Sequence, residues 1–349
     1  MNPAIFREYD IRGLAEQDFD EKFALLLGKV HGTIIAERGG KRVTVGRDCR
    51  ATSDPYAEAV IAGLASTGLQ VYDIGICPTP LLYFSLFHLN VDGGIEVTAS
   101  HNPSEYNGFK LCIGKDTLYG QQIQDVRVKM DRNEFKEKAG GKVERYEILS
   151  PYQKHLLQDV PKLKRPLKVV VDAGSGVGGP VAPPLFRQLG CLVWEIACKP
   201  DGNFPIHHPD PTIPENLELL IEKVKHEYQL RLCRGRITFD GSKRDRGFNR
   251  LGLHICELGA FSRIAGHRCR GGVGSYLHSF WFGTLQYRGR GGLCGPAGSR
   301  GDQAITRTFA ALQGEKSETA GATTGREWTA GESFLVVGYR EVSTYGRWG

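Results

Sequence analysis

Short apolar runs alternate with stretches of helical periodicity through the first two thirds of the chain, and this alternation limits the possible folds. Residues 41–46 read as a buried strand, and Ser53-Asp54-Pro55 offers a helix N-cap with proline in the first turn. Apolar residues at helical spacing follow, Gly68 can end the helix, and residues 69–74 read as the next strand. Strands that alternate with helices in this way predict parallel α/β layers.

The alternation recurs further along the chain and predicts a second unit of the same kind. Further strands are predicted at 94–98, 167–171 and 192–196, with a helix around 185–189. The charged stretch 129–145 and the following Ser150-Pro151 are typical of a join between two units. We therefore predict two three-layer α/β domains with mixed or parallel sheets, at residues 1–150 and 151–250, followed by an atypical tail at 251–349.

The composition changes sharply near residue 231. Residues 1–230 hold 27 Lys+Arg and 30 Asp+Glu, a net charge of −3, whereas residues 231–349 hold 18 and 9, a net charge of +9. The second part contains 16 Arg, 2 Lys and 23 Gly, which interrupt almost every apolar window, so we predict an irregular Gly/Arg-rich tail in which no element can be assigned. Two interpretations fit: a genuine basic extension, or a reading frame that has slipped in the gene. We favour the slipped frame.

The composition also bears on the cellular compartment. No apolar run approaches the roughly 18 residues that a membrane-spanning helix needs, and the first residues lack the basic-then-apolar layout of a signal peptide. We therefore expect a cytoplasmic protein with no membrane partner. The nine cysteines include no C-x-x-C pair, which argues against a disulfide framework and a structural zinc site.

The most informative motif follows the predicted strand at 94–98. It reads Thr98-Ala99-Ser100-His101-Asn102-Pro103, and Asn107-Gly108-Phe109-Lys110 lies shortly downstream. The end of a strand in an α/β layer is where ligands usually bind, and His101 and Lys110 could manage protons there. From local chemistry alone, a surface turn with an ordinary serine and histidine stays an open alternative.

This motif resembles the signature of the α-D-phosphohexomutase family, to which the bacterial phosphomannomutases and phosphoglucomutases belong. The resemblance extends, in the family's order, over several other motifs of the first 230 residues. These motifs are Phe6-Arg7-Glu8-Tyr9-Asp10-Ile11-Arg12-Gly13, Val45-Gly46-Arg47-Asp48, Pro78-Thr79-Pro80, Asp172-Ala173-Gly174-Ser175-Gly176 and Pro200-Asp201-Gly202-Asn203-Phe204-Pro205.

The resemblance implies an intramolecular phosphotransferase that moves phosphate between C6 and C1 of a hexose phosphate, mannose or glucose, through a phosphoserine and a sugar bisphosphate. A base must take the hydroxyl proton, and a divalent cation, expected to be Mg²⁺, must offset charge on the phosphoryl group. Residue by residue, the resemblance assigns the catalytic group to Ser100, His101 and Lys110, substrate binding to Tyr9, Arg12 and Arg246, and metal binding to Ser100, Asp240 and Asp245.

The metal-binding loop departs from the family's Asp-Gly-Asp-x-Asp-Arg pattern. Here the chain reads Asp240-Gly241-Ser242-Lys243-Arg244-Asp245-Arg246, and Asp245 and Arg246 match the pattern only with one inserted residue. Lys243 and Arg244 would repel a cation beside them. The family's sugar loop and phosphate clamp are not convincingly present either, since Gly314-Glu315-Lys316-Ser317 matches the sugar loop over too few residues.

Three alternatives follow from these departures and from other motifs. The first is an inactive, truncated or frameshifted remnant that keeps the mutase fold. The second is a dinucleotide-binding turn at 174–179, which fits G-x-G-x-x-G directly after a predicted strand. The third is a nucleic-acid-binding protein that uses the basic tail and its aromatic residues at 280–282, which we consider unlikely because the spacing matches no known module.

Overall fold

The computed structural model describes residues 1–160, 163 and 166–234, together with four short strands further along the chain. Three residues predicted to form the site lie outside the described residues: Asp240 and Asp245, predicted to bind metal, and Arg246, predicted to bind substrate. So do residues 314–317. Among the described helices, none has the length and apolar character needed to cross a membrane.

The first unit is built on a mixed sheet. Its strands are β1 (Ile11–Leu14), β2 (Arg42–Arg47), β3 (Gln70–Ile76), β4 (Gly93–Val97), β5 (Tyr106–Ile113), β6 (Asp116–Thr117) and β7 (Lys142–Arg145). The strand order is β1-β5-β4-β2-β3-β7, with β6 paired to β5. The pairs among β4, β2, β3 and β7 are parallel, whereas β5 runs antiparallel to both β4 and β1.

Helices cover both faces of this sheet. They are α1 (Glu21–Glu37), α2 (Ser53–Ala65), α3 (Thr79–His88), α4 (Gln121–Asp131) and α5 (Leu149–Asp159), and a 3₁₀ turn spans Pro3–Ile5. One buried cluster joins α1, α2 and α4 to residues such as Val43 and Val45, and a second joins α3 and α5 to the opposite face. Because successive strand residues point to opposite faces, this arrangement gives the predicted three layers.

Local sequence explains how α1 begins and how it packs. The Asp20 side chain caps the helix by accepting a hydrogen bond from the Phe23 N–H at 2.9 Å. Gly28 and Gly63 then let α1 and α2 approach closely. A Cβ atom on Gly28 would lie 2.4 Å from the Val60 carbonyl oxygen, and one on Gly63 would lie 2.3 Å from the Leu25 carbonyl oxygen, so neither position accepts a side chain.

The second unit has a smaller sheet. Its elements are β8 (Lys168–Asp172), α6 (Ala182–Gln188), β9 (Leu192–Ile196), a 3₁₀ turn at Pro214–Leu217 and α7 (Glu218–Arg234). Strands β8 and β9 pair in parallel. Buried residues of β8 contact α6 on one face and α7 on the other, which again gives three layers.

The structure corrects two details of the sequence-based reading. Ser53 is the first residue of α2 rather than its N-cap, because its hydroxyl donates to Asp48. Part of the stretch expected to be a join, 129–145, ends α4 and forms edge strand β7.

The structure also describes four strands in the tail, where the sequence assigned no element. They are β10 (Ile255–Cys256), β11 (Phe280–Phe282), β12 (Thr284–Leu285) and β13 (Phe334–Glu341), and β13 pairs in parallel with β8.

His31 gives the first unit a pH-dependent stability. Its ring is buried in α1, where Nε2 donates to the Cys112 carbonyl oxygen at 3.0 Å and Nδ1 has no hydrogen-bond partner. Burial, aided by the charge of Arg38, lowers the pKa of His31 to about 4. The folded protein therefore keeps this ring neutral at pH values where the unfolded chain takes up a proton.

We predict that the free energy of unfolding falls as the pH drops from about 6.5 to about 4, by about 3 kcal/mol from this residue. The variant His31→Gln should lose this contribution, while His226→Gln, at an exposed position of α7, should keep it. Urea unfolding of the three proteins at pH 7.5 and pH 4.5 measures the difference. Equal pH dependence in the wild type and His31→Gln would show that His31 does not control acid stability.

Candidate active site

Ser100 lies at the carboxyl edge of the first sheet, just after β4. Its backbone has φ +58°, a left-handed conformation that is rare for residues other than glycine. The Ser100 N–H donates to the Thr98 hydroxyl at 2.9 Å, and that hydroxyl donates to Asp48 at 2.8 Å. Asp48 follows β2, the parallel neighbour of β4, so two adjacent strand ends together fix the turn that carries Ser100.

The Arg50 guanidinium binds the backbone of the loop between β4 and β5, here called the Ser100 loop. The side chain is fully buried, and its Nε donates to Asp48 at 3.0 Å. The two terminal nitrogens donate to four carbonyl oxygens of the loop, those of Ser100 at 3.0 Å, Asn102 at 2.7 Å, Pro103 at 2.5 Å and Tyr106 at 3.0 Å. A planar guanidinium carries five N–H donors in a fixed geometry, so these partners define where the loop backbone lies.

His101 is a titratable neighbour of the Ser100 hydroxyl. Ser100 Oγ and His101 Nδ1 are 3.1 Å apart. When Nδ1 is unprotonated it can accept the serine proton, whereas a protonated ring would donate to the serine oxygen. The pair therefore has the geometry of a hydroxyl beside a proton acceptor.

A cluster of three charged groups lies beside this loop, where β1 pairs with β5. Lys110 is about 2% exposed, and its Nζ lies 3.5 Å from an Asp10 oxygen. Arg12 Nη2 donates to the same oxygen at 2.5 Å, and Arg12 Nη1 donates to the Asn102 side chain at 2.8 Å. One carboxylate thus holds two cations, and Arg12 connects them to the loop that carries Ser100.

The structure therefore brings together four of the residues selected from the sequence. Ser100, His101, Arg12 and Lys110 are linked to one loop by the contacts given above. Tyr9 lies at the surface next to Asp10 in the chain and is 40% exposed, as a group that meets a soluble ligand must be. Asp240, Asp245 and Arg246 lie outside the described residues, so the structure does not place them.

The proposed magnesium site draws on those same residues. Within the residues that the structure describes, no group of three or more His, Cys, Asp or Glu side chains is arranged to hold a metal ion. Asp10, the carboxylate of the charged cluster, is already paired with two cations. The described part of the site thus provides no carboxylate cage for Mg²⁺.

Arg50 was not selected from the sequence as a site residue, and Asp48 and Asn102 were named only as members of motifs. A signal for them exists: Asp48 and Arg50 directly follow a predicted buried strand, at the same sheet edge as Ser100. The signal is weak, because an Asp-x-Arg sequence after a strand is equally typical of a surface ion pair. Only the fold shows that the guanidinium is buried under the loop.

The glycine-rich turn at 174–179 is explained by local structure. The N–H groups of Gly174, Ser175, Gly176 and Gly179 donate to protein oxygens, at distances of 2.7 to 3.4 Å. Helix α6 begins only at Ala182 and has seven residues. These amides are therefore already used, which argues against a pyrophosphate-binding turn.

The fold and the loop define an α/β/α protein with a serine displayed at the carboxyl edge of its first sheet. Comparison with known families agrees. Residues 3–137 match phosphoglucomutase/phosphomannomutase alpha/beta/alpha domain I, and residues 150–241 match alpha/beta/alpha domain II of the same family. The chain therefore belongs to the phosphoglucomutase/phosphomannomutase family.

Similar curated proteins carry both names. A phosphomannomutase/phosphoglucomutase of Pseudomonas putida is 46% identical over 222 residues, 64% of this chain and 48% of that protein. A phosphoglucomutase of Neisseria gonorrhoeae is 40% identical over 224 residues, with the same coverage. The chain thus spans about half the length of the curated relatives it matches.

Solved structures show the same partial correspondence. A phosphoglucomutase/phosphomannomutase family protein of Burkholderia thailandensis superposes with a TM-score of 0.62 at 40% identity, over 65% of this chain and 51% of that one. A putative phosphomannomutase of Thermus thermophilus superposes with a TM-score of 0.56 at 28% identity, over 63% and 51%.

Asp10 should be essential for the stability of the charged cluster. Replacing it by asparagine leaves Arg12 and Lys110 buried beside each other without their shared anion, which should destabilise the first unit by about 3 kcal/mol. Adding Lys110→Met should restore about half of that loss, because one uncompensated charge is removed. Urea unfolding of the single and double variants measures the coupling.

The control is Glu137→Gln, which removes an exposed ion pair with Lys29 and should cost less than about 1 kcal/mol. A loss for Asp10→Asn no greater than that of the control would contradict a buried, mutually dependent cluster.

Proposed function

We propose that this protein catalyses transfer of phosphate between C1 and C6 of a hexose phosphate through a phosphoserine at Ser100. The main support is the arrangement of the Ser100 loop, which displays the hydroxyl in a left-handed turn fixed by Arg50 and beside His101. Family membership and the names of the relatives support the reaction class. We also propose that the two units meet near residue 150.

The proposed chemistry assigns a role to each residue of the site. The bond between the phosphorus atom and Ser100 Oγ breaks as a new bond forms to a free hydroxyl of the sugar phosphate, and the released Ser100 oxygen takes a proton from the His101 ring. Lys110 is assigned as the base that takes the hydroxyl proton, and Arg12 and Tyr9 bind the substrate. The bisphosphate then turns over, and its other phosphate returns to Ser100 Oγ. In this step His101 Nδ1 accepts the serine proton, and Lys110 gives its proton to the sugar oxygen that leaves phosphorus.

Arg246 and the magnesium ligands complete the proposal. We assign Mg²⁺ binding to a phosphate oxygen on Ser100 together with Asp240 and Asp245, and substrate binding to Arg246. When bound, the ion would offset the charge of the moving phosphoryl group. Substrate choice between glucose and mannose phosphates stays open, since the relatives carry both names.

The decisive experiment measures turnover by the full chain. Glucose 1-phosphate and mannose 1-phosphate are supplied separately with Mg²⁺ and a catalytic amount of the hexose 1,6-bisphosphate, and formation of the 6-phosphate is followed. We expect turnover of at least one substrate. Ser100→Ala should reduce the rate by roughly 10³-fold or more, because the phosphate carrier is lost.

The matched control is Ser104→Ala, an exposed serine of the same loop, which should leave the rate within about twofold. Mass spectrometry of the wild type should place one phosphate on Ser100. A wild type that carries this phosphate but shows no turnover would mean that the chain retains the donor apparatus without mutase activity. A wild type with neither would support the inactive-remnant alternative.

A further inference from the structure

A turn of the second α/β unit lies directly against Arg50. The turn spans residues 201–204 and closes with a hydrogen bond from the Phe204 N–H to the Asp201 carbonyl oxygen at 3.0 Å. The Asp201 N–H donates to the Ser175 carbonyl oxygen at 2.8 Å, and the Cys49 thiol lies 3.6 Å from that same oxygen. The turn is thus fixed both to its own unit and to the segment that carries Arg50.

Gly202 permits the close approach of the two backbones. A Cβ atom at this position would lie 2.4 Å from the Cys49 carbonyl oxygen and 2.6 Å from the Arg50 Cα. Both obstacles are backbone atoms, which cannot rotate away as a flexible side chain can. Any other residue at 202 would therefore push the turn away from Arg50.

Phe204 covers the Arg50 side chain. The Arg50 guanidinium carbon lies 5.0 Å from the centre of the phenyl ring, within the range of a cation–π interaction. Phe204 has φ +50°, a left-handed conformation that is unfavourable for a bulky residue. A strained conformation persists only where the surroundings over-determine it, and here they place the ring over a cation that is otherwise buried.

The N–H groups of the same guanidinium hold the Ser100 loop through the four carbonyl contacts described above. We propose that Phe204 and Gly202 are positioning residues, through which the second α/β unit holds Arg50 and thereby sets the conformation of the Ser100 loop. The inference rests on the proposed function only where it treats Ser100 as the phosphate carrier.

Amide hydrogen exchange of the full-length chain tests the link directly. Amides of the loop at residues 98, 100, 102, 106 and 108 are hydrogen-bonded within the first unit, so their exchange reports how often the loop opens. Phe204→Leu removes the ring but leaves an apolar residue in the same strained backbone. We expect exchange in peptides covering residues 98–108 to quicken about tenfold, which corresponds to about 1.4 kcal/mol of opening free energy.

Two further variants separate positioning from general destabilisation. Phe204→Tyr keeps the ring and should restore wild-type exchange in the loop. Phe135→Leu removes a half-buried ring of the first unit, whose centre lies 4.9 Å from Lys29 Nζ, and should leave exchange in the loop unchanged. Gly202→Ala should quicken loop exchange at least as much as Phe204→Leu, because the backbones must separate.

The outcomes distinguish this inference from the proposed function. Unchanged loop exchange in Phe204→Leu and Gly202→Ala, or an equal increase in Phe135→Leu, would overturn the positioning role. Phosphate incorporation at Ser100 from hexose 1,6-bisphosphate is measured in parallel. Its absence in the wild type would contradict the proposed function, yet the exchange comparison would still decide whether Phe204 positions the loop.

Discussion

The Arg50 guanidinium is a fully buried charge, and the hydrogen bonds that it requires determine the geometry of the candidate site. A buried cation is tolerated only when it is paired and its N–H donors are satisfied. Asp48 supplies the counter-charge, and four carbonyl oxygens of the Ser100 loop supply the remaining acceptors. The loop cannot move away without leaving donors of a buried charge unpaired, so the requirement for pairing fixes the backbone that carries Ser100.

Asp48 is a buried anion, so its oxygens must likewise be paired with hydrogen-bond donors. Its two oxygens accept hydrogen bonds from the Arg50 N–H and Nε, from the Ser53 hydroxyl and from the Thr98 hydroxyl. Ser53 opens helix α2 and Thr98 follows β4, so a single carboxylate connects a helix start to a neighbouring strand end. Parallel pairing of β2 and β4 brings these groups to one edge of the sheet, which is why an α/β layer suits a site of this kind.

The sequence was sufficient for the parts of this arrangement that depend on short-range pattern. The strands at β2, β3, β4, β8 and β9 follow from apolar runs, and Ser100, His101 and Lys110 follow from a compact motif. It was not sufficient for interactions between distant segments, such as Arg50 with residues 100–106 or Asp10 with Lys110, because side-chain pairing across strands leaves no periodic trace. Edge strand β7 was likewise missed, since all four of its residues are exposed and carry no burial pattern.

Four of the seven non-glycine residues with a left-handed backbone in the described residues lie along the same line of contacts. Ser100, Ser175, Ala197 and Phe204 all have left-handed backbone conformations, and none is glycine. The Ser175 N–H donates to the Ala197 carbonyl oxygen, the Ser175 carbonyl accepts from the Asp201 N–H, and Phe204 and the Ser100 carbonyl both contact the Arg50 guanidinium. Each such conformation costs on the order of 1 kcal/mol or more, so hydrogen bonds and the buried charge must outweigh it at every step. A chain of strained residues that begins in one unit and ends at Ser100 indicates that the loop's conformation depends on how the two units fit together, and not on the loop sequence alone.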